Sequence, residues 1–77
     1  MSTDQPPRYH INVFWSEEDG CWIADVPDLP ACSSHGDTPG AALASVEEAM
    51  AGWLKVARER GYDIPAATYR PAPRSRA

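Results

Sequence analysis

The segment Asp25-Val26-Pro27-Asp28-Leu29-Pro30-Ala31-Cys32, followed by His35-Gly36-Asp37-Thr38-Pro39, constrains the fold of this chain most strongly. Proline fixes its own φ and pushes the residue before it towards extended backbone. Val26 and Leu29 are therefore extended, and Pro27 and Pro30 make the turn around them rigid. An apolar run enters the turn and a run of small residues leaves it. Gly36, Asp37, Thr38 and Pro39 then supply a flexible hinge, an N-cap hydroxyl and a proline at the first helical position, where a missing N–H costs nothing. This stretch alone sets the order strand, turn, short strand, helix.

The flanking sequence supplies the remaining elements. Residues 9–15 alternate as a strand, with Tyr9, Ile11, Val13 and Trp15 on one face and His10, Asn12 and Phe14 on the other. Residues 16–20 form a polar loop ending in glycine, as expected between hairpin strands. Residues 21–26 form a second strand, with Trp22, Ala24 and Val26 opposite Cys21, Ile23 and Asp25. Residues 31–35 form a third. If Val26 and Ala31 close that hairpin, Cys32 lies beside Asp25 and Cys21 near Gly36. From Thr38 to about residue 60, Leu43, Val46, Met50, Trp53, Leu54 and Ala57 make one apolar helical stripe, with Trp53 as its central core residue. Gly61 suits the position after the helix, and Arg58 and Arg60 suit its negative end. Residues 62–65 can return to the sheet edge. The expected fold class is α+β: a three- to four-stranded, mainly antiparallel sheet (β-β-β-α, with room for a final β) and one long helix on one face. Residues 1–8 read as a disordered lead, 9–65 as the domain and 66–77 as a flexible basic tail.

A chain of 77 residues allows one domain. A core of that size supplies about 3–5 kcal/mol, so disulfides, metals or oligomers often assist. The two cysteines fall at different heights on the sheet, whereas a bridge needs Cα atoms within about 7 Å. Free thiols and a reducing compartment are expected. There is no CxxC and no Cys/His cluster, so neither metal nor cofactor is expected. Oligomerisation, as a homodimer or tetramer, is the expected substitute. No stretch has the length and apolarity of a membrane span, and residues 1–7 lack the features of a signal peptide, so a cytoplasmic protein is expected.

Charge narrows the choice of partner. Residues 1–65 hold all eleven acids and four basic residues, a net −7, whereas residues 66–77 hold Arg70, Arg74 and Arg76 and no acid. An acidic body opposes nucleic-acid binding, except weakly through the tail, and favours a basic protein. No catalytic constellation is visible. Glu17, Glu18 and Asp19 share a loop, and the adjacent Glu47 and Glu48 point in different directions on the helix. Cys32 and His35 lie three apart, so on a strand they face opposite ways. No enzyme is expected. Trp15 and Trp22 bracket the acidic loop, and these five residues, Trp15, Glu17, Glu18, Asp19 and Trp22, are the candidates for a partner or subunit contact.

Taken together, Tyr9-x-Ile11-x-Val13, Glu18-Asp19-Gly20-x-Trp22-x-Ala24-x-Val26-Pro27-Asp28-Leu29-Pro30-x-Cys32, Gly36-Asp37-Thr38, Ala42-Leu43 and Glu48-Ala49 resemble the HicB antitoxins of HicAB toxin–antitoxin systems. The resemblance covers roughly residues 9–65. It implies a partial ribonuclease-H-like fold, dimers or tetramers, and a partner: HicA, a small basic mRNA-cleaving toxin whose catalytic histidine region is covered by HicB. The same resemblance allows a stand-alone oligomeric interaction protein without a toxin. The local rules above give structural roles to Pro27, Pro30, Gly36, Asp37 and Thr38, and the helix pattern gives one to Trp53. This chain departs from the family at three places. Ala31 stands where glycine is usual, so the turn is expected to avoid positive φ there. Pro39-Gly40-Ala41 lacks the usual capping glutamate, which weakens the helix start. Twelve residues follow Pro65, too few for a helix-turn-helix, so a short single-domain form is expected and operator binding does not carry over. Ribonuclease H chemistry does not carry over either, because residues 9–15 contain no acid.

Overall fold

The computed structural model describes residues 8–69. Three antiparallel strands, β1 (Asn12–Ser16), β2 (Cys21–Asp25) and β3 (Ser33–Gly36), lie in the order β1-β2-β3. One helix, α1 (Pro39–Arg60), covers one face of the sheet. The α+β arrangement is the expected one. No fourth strand follows among the described residues; residues 62–69 run back over the domain without regular structure.

Strand register follows from the turns. Gly20 ends the first loop at φ 64°, and its N–H donates to the Ser16 carbonyl at 2.8 Å. Trp15 then lies opposite Trp22 and Val13 opposite Ala24. These side chains share the helix-facing side, as the alternation predicts, while Phe14 and Ile23 share the other.

The second hairpin corrects the sequence reading by one residue. Ser33, not Cys32, lies opposite Asp25, and Trp22, not Cys21, lies opposite Gly36. The reason is Ala31, which adopts φ 57° despite its Cβ. A left-handed residue here absorbs one position, so Val26 pairs with Cys32 rather than with Ala31: the Val26 N–H donates to the Cys32 carbonyl at 3.0 Å. Leu29 N–H to Val26 O (3.1 Å) and Cys32 N–H to Leu29 O (3.3 Å) complete two linked turns. Both cysteines remain free thiols.

The helix start is built as the sequence suggests. Thr38 is extended, and its Oγ1 accepts from the Ala41 N–H at 3.0 Å; Pro39 follows at the first helical turn. Gly36 is more than a hinge. A Cβ there would lie 2.5 Å from the Ala42 nitrogen and 2.7 Å from the Ala41 carbonyl carbon. The missing side chain lets the first helical turn sit directly on β3. The Ser34 and Ser45 hydroxyls hydrogen-bond across the same junction. At the far end Gly61 takes φ 72°, and the Tyr62 N–H donates to the Ala57 carbonyl at 2.8 Å.

Close approach at Gly36 also sets the helix phase. Ala42, Val46, Leu54 and Ala57 are buried; Leu43, expected inside, is 36% exposed. Trp53 is not the central core residue. It is partly buried and packs on the margin of a core centred on Leu29, Leu54, Val26 and Val46. Each such aliphatic side chain contributes roughly 1.5–3 kcal/mol on full burial.

Residues 62–69 return across the sheet and are fastened at two points. The Tyr9 hydroxyl donates to the Pro65 carbonyl at 2.6 Å. The Asp28 carboxylate accepts from the Tyr69 N–H at 3.1 Å and from Thr68 Oγ1 at 3.3 Å. Ala67 packs on the core between these points. Arg70, Arg74 and Arg76 lie outside the described residues, as does most of the expected N-terminal lead.

Two substitutions of opposite chemistry should have opposite effects. Ala31→Gly should stabilise by roughly 0.5–1 kcal/mol, because the strain relieved, about 1–2 kcal/mol, exceeds the entropy gained by the unfolded chain. Gly36→Ala should destabilise by roughly 1–3 kcal/mol, since backbone must move to admit the methyl. Urea unfolding measures both. A second expectation concerns pH. Burial, and secondarily the Asp28 charge, push the Tyr9 phenol above its ordinary 10.0. The unfolded chain therefore loses this proton at lower pH than the folded one. Stability from Tyr9 is complete below pH 10 and is lost as pH rises through the raised folded value. Tyr9→Phe should remove that part of the alkaline loss, as read by urea midpoints across the alkaline range.

Candidate partner-binding surface

The helix lies chiefly over β3 and β2 and barely reaches β1. Side chains of β1 therefore remain exposed even on the helix-facing side. Val13 is 37% exposed and Trp15 45%; on the opposite face Phe14 is 48% exposed. Three consecutive apolar residues thus stand in solvent along one edge of the sheet.

Trp15 links this edge to the acidic loop. Its Nε1 donates to Glu17 Oε2 at 3.1 Å, and its ring meets that of Trp22 edge-on at 5.7 Å between centroids. Trp22 is half-buried and packs against the core, so it supports Trp15 from behind. Asp19 is held by Ser16: the Ser16 hydroxyl donates to its carboxylate at 3.0 Å, and the Asp19 N–H donates to Ser16 Oγ at 3.2 Å. Glu17, Glu18 and Asp19 are all exposed. The five contact candidates from the sequence therefore form one continuous region.

Two further surfaces adjoin it. On the open face of the sheet, Cys21, Ile23 and His35 line a shallow pocket with Asp19 and Asp37 at its rim. Asp37 thus gains a place beside the acidic loop that sequence spacing does not reveal, because only strand pairing brings residues 19 and 37 together. Along the helix, Ala49, Gly52, Trp53, Val56, Ala57 and Tyr62 line an apolar groove. Gly52 sits in that groove with open space where a Cβ would point. Sequence reasoning places Trp53 in the core and so misses this groove.

The nucleophile and base types do not converge. Cys32 is buried, and burial pushes its thiol above the ordinary value, away from the reactive thiolate. His35 stands exposed on the open face. His10 Nε2 is tied to the Asn12 side-chain oxygen at 2.7 Å, and its ring lies 5.0 Å from that of Tyr69. Among the described residues, no three His, Cys, Asp or Glu side chains gather as a metal site requires, and no helix is long and apolar enough to cross a membrane. What the region does present is an exposed aromatic side chain, Trp15, beside three exposed carboxylates.

Residues 9–71 match the family model for the HicB-like antitoxin of bacterial toxin–antitoxin systems. The chain belongs to the HicB-like antitoxin family. The UPF0150 protein Ta0767 of Thermoplasma acidophilum is 30% identical over 53 residues, covering 69% of this chain and 77% of its own length. No solved structure gives a significant match. The HicB-like match spans all three strands, the helix and the returning segment, so the exposed β1 edge and the acidic loop both lie inside it.

The exposed edge and the buried core separate by mutation. Trp15→Ala should cost only about 1 kcal/mol, the scale of one edge-on aromatic contact. Leu54→Ala should cost roughly 2–5 kcal/mol and unfold much of the population. Thermal melts followed by circular dichroism measure the difference.

Proposed function

We propose that this domain binds and silences a small basic HicA-type ribonuclease by protein–protein contact. Membership of an antitoxin family carries the reading, since such a protein acts on a toxin. Charge supports it: residues 1–65 carry −7, which attracts a basic partner and speeds encounter. The exposed Trp15 beside Glu17, Glu18 and Asp19 supplies an anchor and a charged rim on one surface. The ancestry proposed here is a partial ribonuclease-H-like fold without the chemistry, since β1 carries no acid to hold a catalytic metal. The proposed setting is the cytoplasm, where the toxin's mRNA substrate lies. Self-association, as a dimer or tetramer, belongs to the same proposal.

Co-expression with the adjacent gene product, followed by pull-down and a growth assay, tests the reading. The expected result is a stable complex and restored growth. A toxic neighbour that this chain neither binds nor silences overturns it, and leaves a stand-alone oligomeric interaction protein. Reversing Glu17, Glu18 and Asp19 to lysine should slow association and flatten its salt dependence. Replacing Trp15 should instead speed dissociation. Stopped-flow association at two salt concentrations separates these effects.

A further inference from the structure

We infer that Tyr9, His10 and Asp28 form a recognition site for an extended peptide segment, and that residues 65–69 are its resident but exchangeable occupant. This site lies where the turn between β2 and β3 meets the chain before β1. It stands whether or not the partner is a HicA-type toxin.

The fixed parts of the site belong to the core and to the rigid turn. Tyr9 is only 8% exposed and packs in the core, yet its hydroxyl donates to the Pro65 carbonyl at 2.6 Å. A buried hydroxyl without a partner is costly, so this one requires a carbonyl laid over it. Asp28 stands between Pro27 and Pro30, whose fixed φ angles hold the turn. Its carboxylate accepts the Tyr69 N–H at 3.1 Å and the Thr68 hydroxyl at 3.3 Å. His10, tied to Asn12 at 2.7 Å, sets its ring 5.0 Å from that of Tyr69.

Three observations mark the occupant as exchangeable. First, the anchors hold main-chain atoms, the Pro65 carbonyl and the Tyr69 N–H, which any extended peptide offers. Main-chain hydrogen bonds with places for alternate side chains are the usual means of holding such a peptide. Second, alternation supplies the selectivity. Pro65 and Ala67 are partly buried, whereas Ala66 and Thr68 are exposed. Ala67 packs against the core at the apex of a tight turn, in which the Thr68 N–H donates to the Ala66 carbonyl at 3.0 Å. A segment that fits therefore carries a proline, a small residue two places on, and a main-chain N–H two places beyond that. Third, residues 62–69 have no regular structure and join no sheet ladder. A segment with few buried apolar contacts opens at lower free energy than the core beneath it. When it opens, the Tyr9 hydroxyl and the Asp28 carboxylate are left for a segment of the same chemistry from outside.

The test uses the full chain and a fluorescent peptide of residues 63–69, Asp-Ile-Pro-Ala-Ala-Thr-Tyr. The wild-type chain should bind it weakly, because the tethered segment competes at an effective concentration in about the millimolar range. Ala67→Asp sets a charge against the core, which should unseat the resident segment. Fluorescence anisotropy should then show peptide binding tighter by about tenfold or more. Adding Tyr9→Phe or Asp28→Ala to that variant should weaken binding by about tenfold, and a peptide carrying the Ala67→Asp change should not bind. A variant that is folded by circular dichroism but binds no better than wild type overturns the proposal, as does binding indifferent to both Tyr9→Phe and Asp28→Ala. Exchange in the isotope-labelled wild-type chain needs no substitution. Unlabelled peptide at several millimolar should speed exchange of the Tyr69 N–H by about twofold or more and leave the Leu54 N–H unchanged. Tyr69 exchange that is indifferent to the peptide overturns the proposal.

Discussion

The bare Cα of Gly36 governs the assembly of this domain. It admits the backbone of Ala41 and Ala42 to a distance no side chain would tolerate, so the first turn of α1 rests on β3. Thr38 caps the helix at that spot, and the Ser34–Ser45 hydrogen bond fixes its bearing. From there Val46 and Leu54 fall over Val26 and Leu29, and the core closes. Because the helix is anchored at the β3 side, it covers β3 and β2 and leaves β1 nearly bare. A single 22-residue helix cannot cover both sides of the sheet and its far edge.

The exposure of Val13, Phe14 and Trp15 is thus a consequence of how the core is made. Contiguous exposed apolar residues are uncommon on monomeric soluble proteins and mark contact surfaces. The small core adds to the argument, since a domain of this size has only about 3–5 kcal/mol to spare. In the proposed role, a partner laid on the edge that α1 leaves open would remove aromatic surface from water. The polar features sit at the margins of that edge, where charge steers encounter more than it sets affinity. In the proposed antitoxin role, one face of the domain maintains the fold and the other side is available to partners.

Much of this was legible in the residues. The four elements, the alternation of β1 and β2, the Thr38 cap and the Gly61 terminator follow from local rules that tertiary packing did not override. The family match over residues 9–71 takes in that turn and the helix start. Two features were hidden for identifiable reasons. Ala31 at φ 57° defies the preference of an L-residue, and only the closed hairpin, tied by Val26 and Cys32, holds it there. The strand register depends on that single angle and so shifts by one. The helix stripe is right at Val46, Leu54 and Ala57, but at its start Leu43 is exposed and the small Ala42 is buried in its place. Residue size favoured Leu43; close approach at Gly36 favoured Ala42. Trp53 sits at the margin of the stripe, not at its centre, and the groove it lines needed the folded helix to appear. The neighbourhood of Asp19 and Asp37 needed strand pairing to appear.

The proposed contact role depends on the open side of β1, where Val13 and Trp15 turn their backbone groups away from β2 and Phe14 turns its own towards it. Amide hydrogen exchange, residue by residue and at increasing protein concentration, tests this most directly. In dilute solution slow exchange is expected at Phe14 and fast exchange at Val13 and Trp15. As concentration rises into the range of association, Val13 and Trp15 should become as protected as Phe14. Fast exchange at Val13 and Trp15 in a sample shown to be oligomeric would contradict it.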